Sequence, residues 1–300
     1  MFKWKCSWMM SIVWASIECP LRSNADELLL IGTELIVDTG SADTILLGGS
    51  GMVESLGRIE YQGLSFREAR ASRPVVIEGC SAPLLVPRAH EAEMLGGRPM
   101  GKGILGLGRE KLGDSMLFSP ELAAWNTLSI QVAPTGGGML ILKDANLRPV
   151  KPTLTLNSMY YWSTDLNEIH IGTFPVKPTR KTAVIFDTGS NYFGISPGLY
   201  ETVTEALLKD DCHPQLTLTV KSTTGEHVKL SYNSNIYAQD PAPELRYGTC
   251  SLAIGKIDQR NFGDLANHDI VIIGTRGLKG KTLNIHKSSK NEYGFLISIN

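Results

Sequence analysis

Residues Leu35–Thr44 read LIVDTGSADT, and residues Val184–Phe193 read VIFDTGSNYF. In each stretch an apolar run enters the same acidic turn, Asp38-Thr39-Gly40-Ser41 and Asp187-Thr188-Gly189-Ser190. One such turn is ordinary loop chemistry, because Asp and Ser readily satisfy nearby backbone groups. Two turns 149 positions apart (187 − 38) in matching surroundings point to a duplicated unit. Upstream, LLLIGTELIVDTGS (28–41) parallels IHIGTFPVKPTRKTAVIFDTGS (169–190), each carrying Ile-Gly-Thr before the apolar run. Downstream, Ile104-Leu105-Gly106 is matched by Ile272-Ile273-Gly274. The repeat predicts two related β-rich lobes with a central cleft, an N-terminal lobe over 24–148 and a C-terminal lobe over 149–300. Pro149-Val150-Lys151-Pro152 is the expected joint.

The 300 residues are 42% hydrophobic, enough for one large or two ordinary cores. With 29 basic and 30 acidic residues, nothing in the charge balance calls for a nucleic acid or an anionic membrane. Thirty glycines and 15 prolines among short apolar runs fit a mostly β chain rich in turns. Leu216–Val220 and His227–Tyr232 alternate as strands do, and Gly136–Leu142 reads as a turn followed by a buried strand. Helices are few. Ser196-Pro197 is a capping residue followed by proline at the first helical position, with Leu199, Val203, Ala206 and Leu207 on one face. A second short helix is expected from Ser119-Pro120 to Trp125.

The acidic turns carry the chemistry. Each apolar strand delivers an aspartate to the base of a cleft, and glycine lets backbone N–H groups reach the carboxylate. The hydroxyls of Ser41 and Ser190 are expected on the carboxylates' outer oxygens, and those of Thr39 and Thr188 are expected to reach across and tie the turns together. Two carboxylates in one site resist ionising together, so one proton is shared. The ionised partner can then take a proton from water while the other donates to a carbonyl oxygen.

These two turns, with GILGLG (103–108) and VIIGT (271–275) downstream, resemble the pepsin-like aspartic proteases over roughly residues 28–300. The resemblance implies a bilobal pepsin-like acid protease fold with Asp38 and Asp187 as the catalytic pair. It implies Thr39 and Thr188 as a crossed grip, Gly40, Ser41, Gly189 and Ser190 as support, and Gly189 and Asn191 as contacts to a substrate backbone. Gly49–Phe66 looks like the return strand of the family's flap, and Tyr160–Gly172 resembles the strand pair that opens the second lobe. Cys212 and Cys250 stand where the family often has a second-lobe disulfide. No cofactor or metal is implied.

The pattern departs from the family in the first lobe. Asp38 to Gly106 is 68 positions, whereas Asp187 to Gly274 is 87; Thr33 to Asp38 is 5, whereas Thr173 to Asp187 is 14. The larger loss follows the first turn. Ile45 stands at the family's tryptophan place and Leu47 nearest its flap tyrosine, and neither side chain donates a hydrogen bond. A reduced flap predicts weaker substrate binding and slower turnover. Thr275 stands where relatives often carry an acid, with consequences for pH optimum or specificity.

Residues 1–17 read as a secretory signal peptide: Lys3 and Lys5, an apolar segment, then Val13 and Ala15 as small residues. The alternative is a misplaced start or a buried first strand. Later runs fall short of a membrane span. Of five cysteines, Cys6 and Cys19 lie in or beside that leader, Cys212 and Cys250 share the second half and can pair in an oxidising compartment, and Cys80 is left over as a buried or unpaired thiol. GKGILG (101–106) matches G-x-G-x-x-G, but the stretch before it is a poor strand, and an apolar-apolar-Gly crossing beneath Asp38 explains the pattern better than a dinucleotide site does. Lys279, Lys281, Lys287 and Lys290 read as a solvated surface, and Trp125 and Trp162 as packing. The expectation is a monomeric aspartic endopeptidase of the secretory pathway, cutting peptides or proteins at hydrophobic residues in the acid range. The alternative is a catalytically weak or inactive pepsin homologue that binds peptides or proteins in the same cleft.

Overall fold

The computed structural model describes residues 16–24, 27–48, 57–61, 64–95, 102–112, 115–118, 125–144, 151–209, 214–239, 251–288 and 295–300. Two large sheets dominate it. One runs through 13 strands and the other through a path of seven with an eighth attached.

The larger sheet begins with three strands of the second half, Leu154–Thr155, Phe295–Ile299 and Lys281–Lys287. It continues into Thr127–Val132, Gly138–Lys143 and Ser16–Asn24 of the first half. The halves meet where Thr127–Val132 pairs antiparallel with Lys281–Lys287, from Thr127↔His286 to Val132↔Lys281. Backbone hydrogen bonds thus run unbroken across the junction. Buried Ser129 donates its hydroxyl to the Asn284 side chain across the same seam, at 2.7 Å. Beyond Ser16–Asn24 the sheet passes through Glu27–Leu30 to Leu35–Asp38, Gly103–Gly106 and Thr44–Leu47, then ends in the meander Leu84–Met94, Leu64–Ile77 and Gly57–Tyr61.

The second sheet has the order His227–Tyr232, Leu216–Lys221, Ser163–Ile171, Thr182–Phe186, Asp269–Ile273, Phe193–Ile195, Ile254–Lys256, with Phe174–Val176 hairpinned onto Ser163–Ile171. The strands that enter the acidic turns are buried throughout, Leu35–Asp38 and Thr182–Phe186 alike. Continuous apolar sequence is what a strand covered on both faces requires, and each pairs in parallel with the strand that crosses it. The segment GKGILG is part of such a crossing, since Gly103–Gly106 is a strand and no helix opens there.

The expected helix spans Pro197–Lys209 and buries Leu199, Val203, Thr204 and Leu207, with Ala206 packed at the core's margin. Ser196 differs from the expectation of a side-chain cap. Its carbonyl accepts from Leu199 and Tyr200 N–H groups, while its hydroxyl donates to Asp269 Oδ1 (3.2 Å) and accepts from Ile270 N–H (3.0 Å). The hydroxyl serves a neighbouring strand instead of the helix end. The helix expected from Ser119 to Trp125 falls largely outside the described residues.

Cysteine pairing corrects the sequence reading. Cys19 and Cys80 form a disulfide across 61 positions, so Cys80 is not left over and Cys19 is not spare. Backbone contacts bring them together: Ser81 N–H donates to Glu18 O (2.7 Å) and Glu18 N–H donates to Ser81 Oγ (2.9 Å). The strand that holds Cys19 starts at Ser16 and buries Ile17, so the sheet includes residues assigned above to the leader and residues ahead of the lobe start at 24. Cys212 and Cys250 lie outside the described residues, as do residues 1–15 and 49–56. Replacing Cys19 and Cys80 together by serine is expected to cost about 2–4 kcal/mol by freeing a long loop of the unfolded chain. A lower urea midpoint in the double variant, compared with the oxidised parent, is the check.

Candidate active site

Each acidic turn sits on the strand that crosses beneath it. In the first half Asp38 stands opposite Gly106, and Leu107 N–H donates to Asp38 O at 2.7 Å. In the second, Phe186 stands opposite Ile273, and Asp187 N–H donates to Ile273 O at 3.1 Å. The crossing is tight. A β-carbon at Gly106 would strike the Asp43 carbonyl, and one at Gly274 would strike the carbonyls of Ser190 and Tyr192. This is why both crossings read apolar-apolar-Gly.

Asp38 is fully buried and Asp187 is 8% exposed. Gly40 N–H donates to Asp38 Oδ1 at 2.7 Å, and Gly189 N–H donates to Asp187 Oδ1 at 2.9 Å. Each glycine also backs onto the opposite carboxylate. A β-carbon at Gly40 would lie 2.6 Å from Asp187 Oδ1, and one at Gly189 would lie 2.6 Å from Asp38 Oδ2. The two carboxyl groups therefore share one pocket, and either turn would have to move to admit any side chain at the glycine.

The threonines form the crossed grip. Thr39 Oγ1 donates to Phe186 O (2.8 Å) and accepts from Thr188 N–H (3.0 Å). Thr188 Oγ1 donates to Val37 O (2.7 Å) and accepts from Thr39 N–H (3.1 Å). Both side chains are buried, so these four bonds satisfy groups that water cannot reach. The serines differ from the expectation. Ser41 Oγ lies 3.3 Å from both the carbonyl and the N–H of Asp43, and Ser190 Oγ donates to Tyr192 O at 3.3 Å. They brace their own turns rather than the carboxylates.

Thr275 also has a role that the sequence reading did not give it. It is buried, donates its hydroxyl to Thr188 O (3.0 Å), and its N–H donates to Ser190 O (2.7 Å). It fastens the second turn from below. Asn191 follows that turn and its carbonyl accepts from Arg276 N–H at 3.4 Å. Leu47 sits at the end of Thr44–Leu47, packed on Ile45, Phe66, Ala92 and Ile104. Of the stretch expected to resemble the flap's return strand, residues 49–56 and 62–63 lie outside the description, and Gly57–Tyr61 pairs antiparallel with Leu64–Ile77.

Burial pushes the Asp187 carboxyl well above the usual carboxylate range. The nearby negative charge of Asp38 and a hydrogen bond with it add to the rise, while the N–H groups of Gly189 and Ser190 oppose it. Tyr161 is the other group that responds to the site. Burial raises its phenol, and the charges of Asp264 and Asp187 raise it further. Among the described residues no group of three or more His, Cys, Asp or Glu side chains is placed to hold a metal ion.

No family model matches the chain, and no curated protein matches it in sequence. Among solved structures it is similar to basic 7S globulin from soybean, with a TM-score of 0.60, 11% identity and 94% of each chain covered. Identity that low speaks for the fold alone, and the fold is the bilobal pepsin-like one.

Two outcomes follow from this geometry. Thr39→Val strands the Phe186 carbonyl and the Thr188 N–H in the interior, at about 1–3 kcal/mol for each. Urea unfolding is expected to show a loss of that order, with Thr39→Ser close to the parent. The second outcome concerns pH. Asp187 has a folded-state pKa above its unfolded value, so its contribution to stability is complete below the unfolded pKa and is lost as pH rises through the folded one. Asp38→Asn removes the neighbouring charge. The variant is expected to lose less stability than the parent between acid and neutral pH, as measured by urea midpoints across that range.

Proposed function

We propose that the protein is an aspartic endopeptidase that cleaves peptide bonds in the acid range. The observation that carries this reading is the shared pocket of Asp38 and Asp187, each carboxylate facing the other turn's glycine. The pair shares one proton, burial and the Asp38 charge raise the Asp187 carboxyl, and the proposed cycle is written with that proton on Asp187 and with Asp38 ionised. Asp38 takes a proton from a water molecule whose oxygen attacks the peptide carbonyl carbon. Asp187 donates its proton to the carbonyl oxygen, giving a neutral tetrahedral diol. On collapse the departing nitrogen takes the proton that Asp38 accepted from water as the C–N bond breaks, one diol hydroxyl returns its proton to Asp187, and a carboxylic acid and an amine leave. The buried threonine grip fixes the two carboxylates before substrate arrives, so little reorganisation is needed at the moment of reaction. Rising pH removes the Asp187 proton and with it the acid.

The proposed substrate is an extended peptide or unfolded protein with hydrophobic side chains beside the cut bond, met by a monomer. The Cys19–Cys80 disulfide is compatible with an oxidising, secretory-pathway setting. A second reading keeps the cleft and discards turnover. The first lobe is short after its acidic turn, and a solved structure that the chain is similar to is that of a globulin. On that reading the cleft holds peptides without cutting them.

Incubation with an acid-denatured protein separates the two. The endopeptidase reading expects fragments in the acid range, blocked by a peptide analogue with a tetrahedral hydroxyl and absent in Asp38→Asn and Asp187→Asn. Peptide binding without fragments, or fragments that survive Asp187→Asn, would overturn it.

A further inference from the structure

Arg109 is the third residue after Gly106 and is almost completely buried, at 2% exposure. Burying a guanidinium is costly, so its surroundings must compensate. It reaches out of the first half into the second. Its Nη1 donates to the Ser158 carbonyl, and its guanidinium lies 5.3 Å from the Trp162 ring centre and 5.4 Å from that of Phe295. The two rings meet edge to face at 5.3 Å, so the cation is held by aromatic surface from the segment before Ser163–Ile171 and from the strand Phe295–Ile299.

The segment it holds leads to the second aspartate. Ser158 Oγ accepts from the N–H groups of Tyr160 and Tyr161 (3.1 Å each) and donates to Asp264 Oδ1 (2.8 Å). Met159 N–H donates to Asp264 Oδ2 at 2.6 Å. Trp162 Nε1–H then reaches back to the first half, to Leu107 O at 2.9 Å, and Trp162 O accepts from Phe186 N–H at 3.0 Å. Phe186 is the residue before Asp187. Leu107, for its part, is the residue whose N–H holds the Asp38 carbonyl. A path of direct contacts thus runs from beneath one aspartate, through Leu107 and Arg109, to the segment 158–162 and on to the other.

We propose that Arg109 is a positioning residue for the aspartate pair: wedged from the first half into the second, it fixes the 158–162 segment and, through Trp162, the depth of the strand that presents Asp187. The threonine grip fixes the turns laterally near their tips. Arg109 and Trp162 fix them from below, at a second level. The inference rests on the paired-aspartate reading for its catalytic consequence, but its geometric content stands apart from turnover.

Stability is a poor readout here, because an apolar side chain of similar length often replaces a buried cation at little cost. The test is therefore the titration of the Asp187 carboxyl carbon by NMR in the parent, Arg109→Met, Arg109→Lys and Trp162→Phe, with circular dichroism to verify folding. Loosening the segment separates the carboxyls, so Arg109→Met is expected to bring the Asp187 titration down toward an ordinary carboxyl. Arg109→Lys should fall between it and the parent. Trp162→Phe, which lacks the bond to Leu107, should move in the same direction. Peptide cleavage should lose about 10–100-fold in kcat with KM little changed, as a small misplacement of reacting groups does. A folded Arg109→Met with the parent's titration overturns the proposal. If Arg109→Met does not fold, the parent's titration in both Arg109→Lys and Trp162→Phe overturns it. A parent protein that cleaves nothing would sink the proteolytic reading while leaving the titration to decide this one.

Discussion

The structure depends on one constraint: two carboxyl groups, one from each half of the chain, must lie against each other out of water. Everything near them is arranged so that this placement holds. Two acids in a buried pocket repel when both are charged, and a protein that left them free would let them part. Four hydrogen bonds through Thr39 and Thr188 prevent that by linking the backbone of each turn to the side chain of the other. Parting the turns would strand buried donors and acceptors, at about 1–3 kcal/mol for each.

The two halves solve the same problem with different parts. Beneath Asp38, the glycines at 106 and 108 lie against the backbone of Ser41–Asp43, and Gly108 N–H donates to Ser41 O at 2.7 Å. Beneath Asp187, Thr275 N–H donates to Ser190 O at the same distance and its hydroxyl reaches Thr188 O. The Thr275 hydroxyl thus supports the turn from below. A continuous ladder through Thr127–Val132 and Lys281–Lys287 joins the halves at a distance from the acids.

Much of this was legible in the sequence because it is local or repeated. The acid turns, the apolar strands that enter them and the apolar-apolar-Gly crossings are each a short pattern with a steric cause, and each occurs twice. The helix at Pro197–Lys209 was legible for the same reason, from proline at its start and one apolar face. What was hidden depends on partners far along the chain. Cys19 meets Cys80 across two separate elements, where Ser81 N–H donates to the Glu18 carbonyl and Glu18 N–H donates to the Ser81 hydroxyl. Arg109, the first residue of the strand Arg109–Leu112, carries no local signal in the sequence, because Trp162 and Phe295 close around it only in the fold. The hydroxyls of Ser41, Ser190 and Ser196 each had two possible partners, and only the folded backbone chooses between them.

The most direct test of the shared-proton pair is an NMR titration that resolves the carboxyl carbons of Asp38 and Asp187 in the same sample. Coupled curves, with one step well above the ordinary carboxylate range that moves down in Asp38→Asn, are the predicted result. Two independent titrations near the usual aspartate value, indifferent to that substitution, would contradict the account.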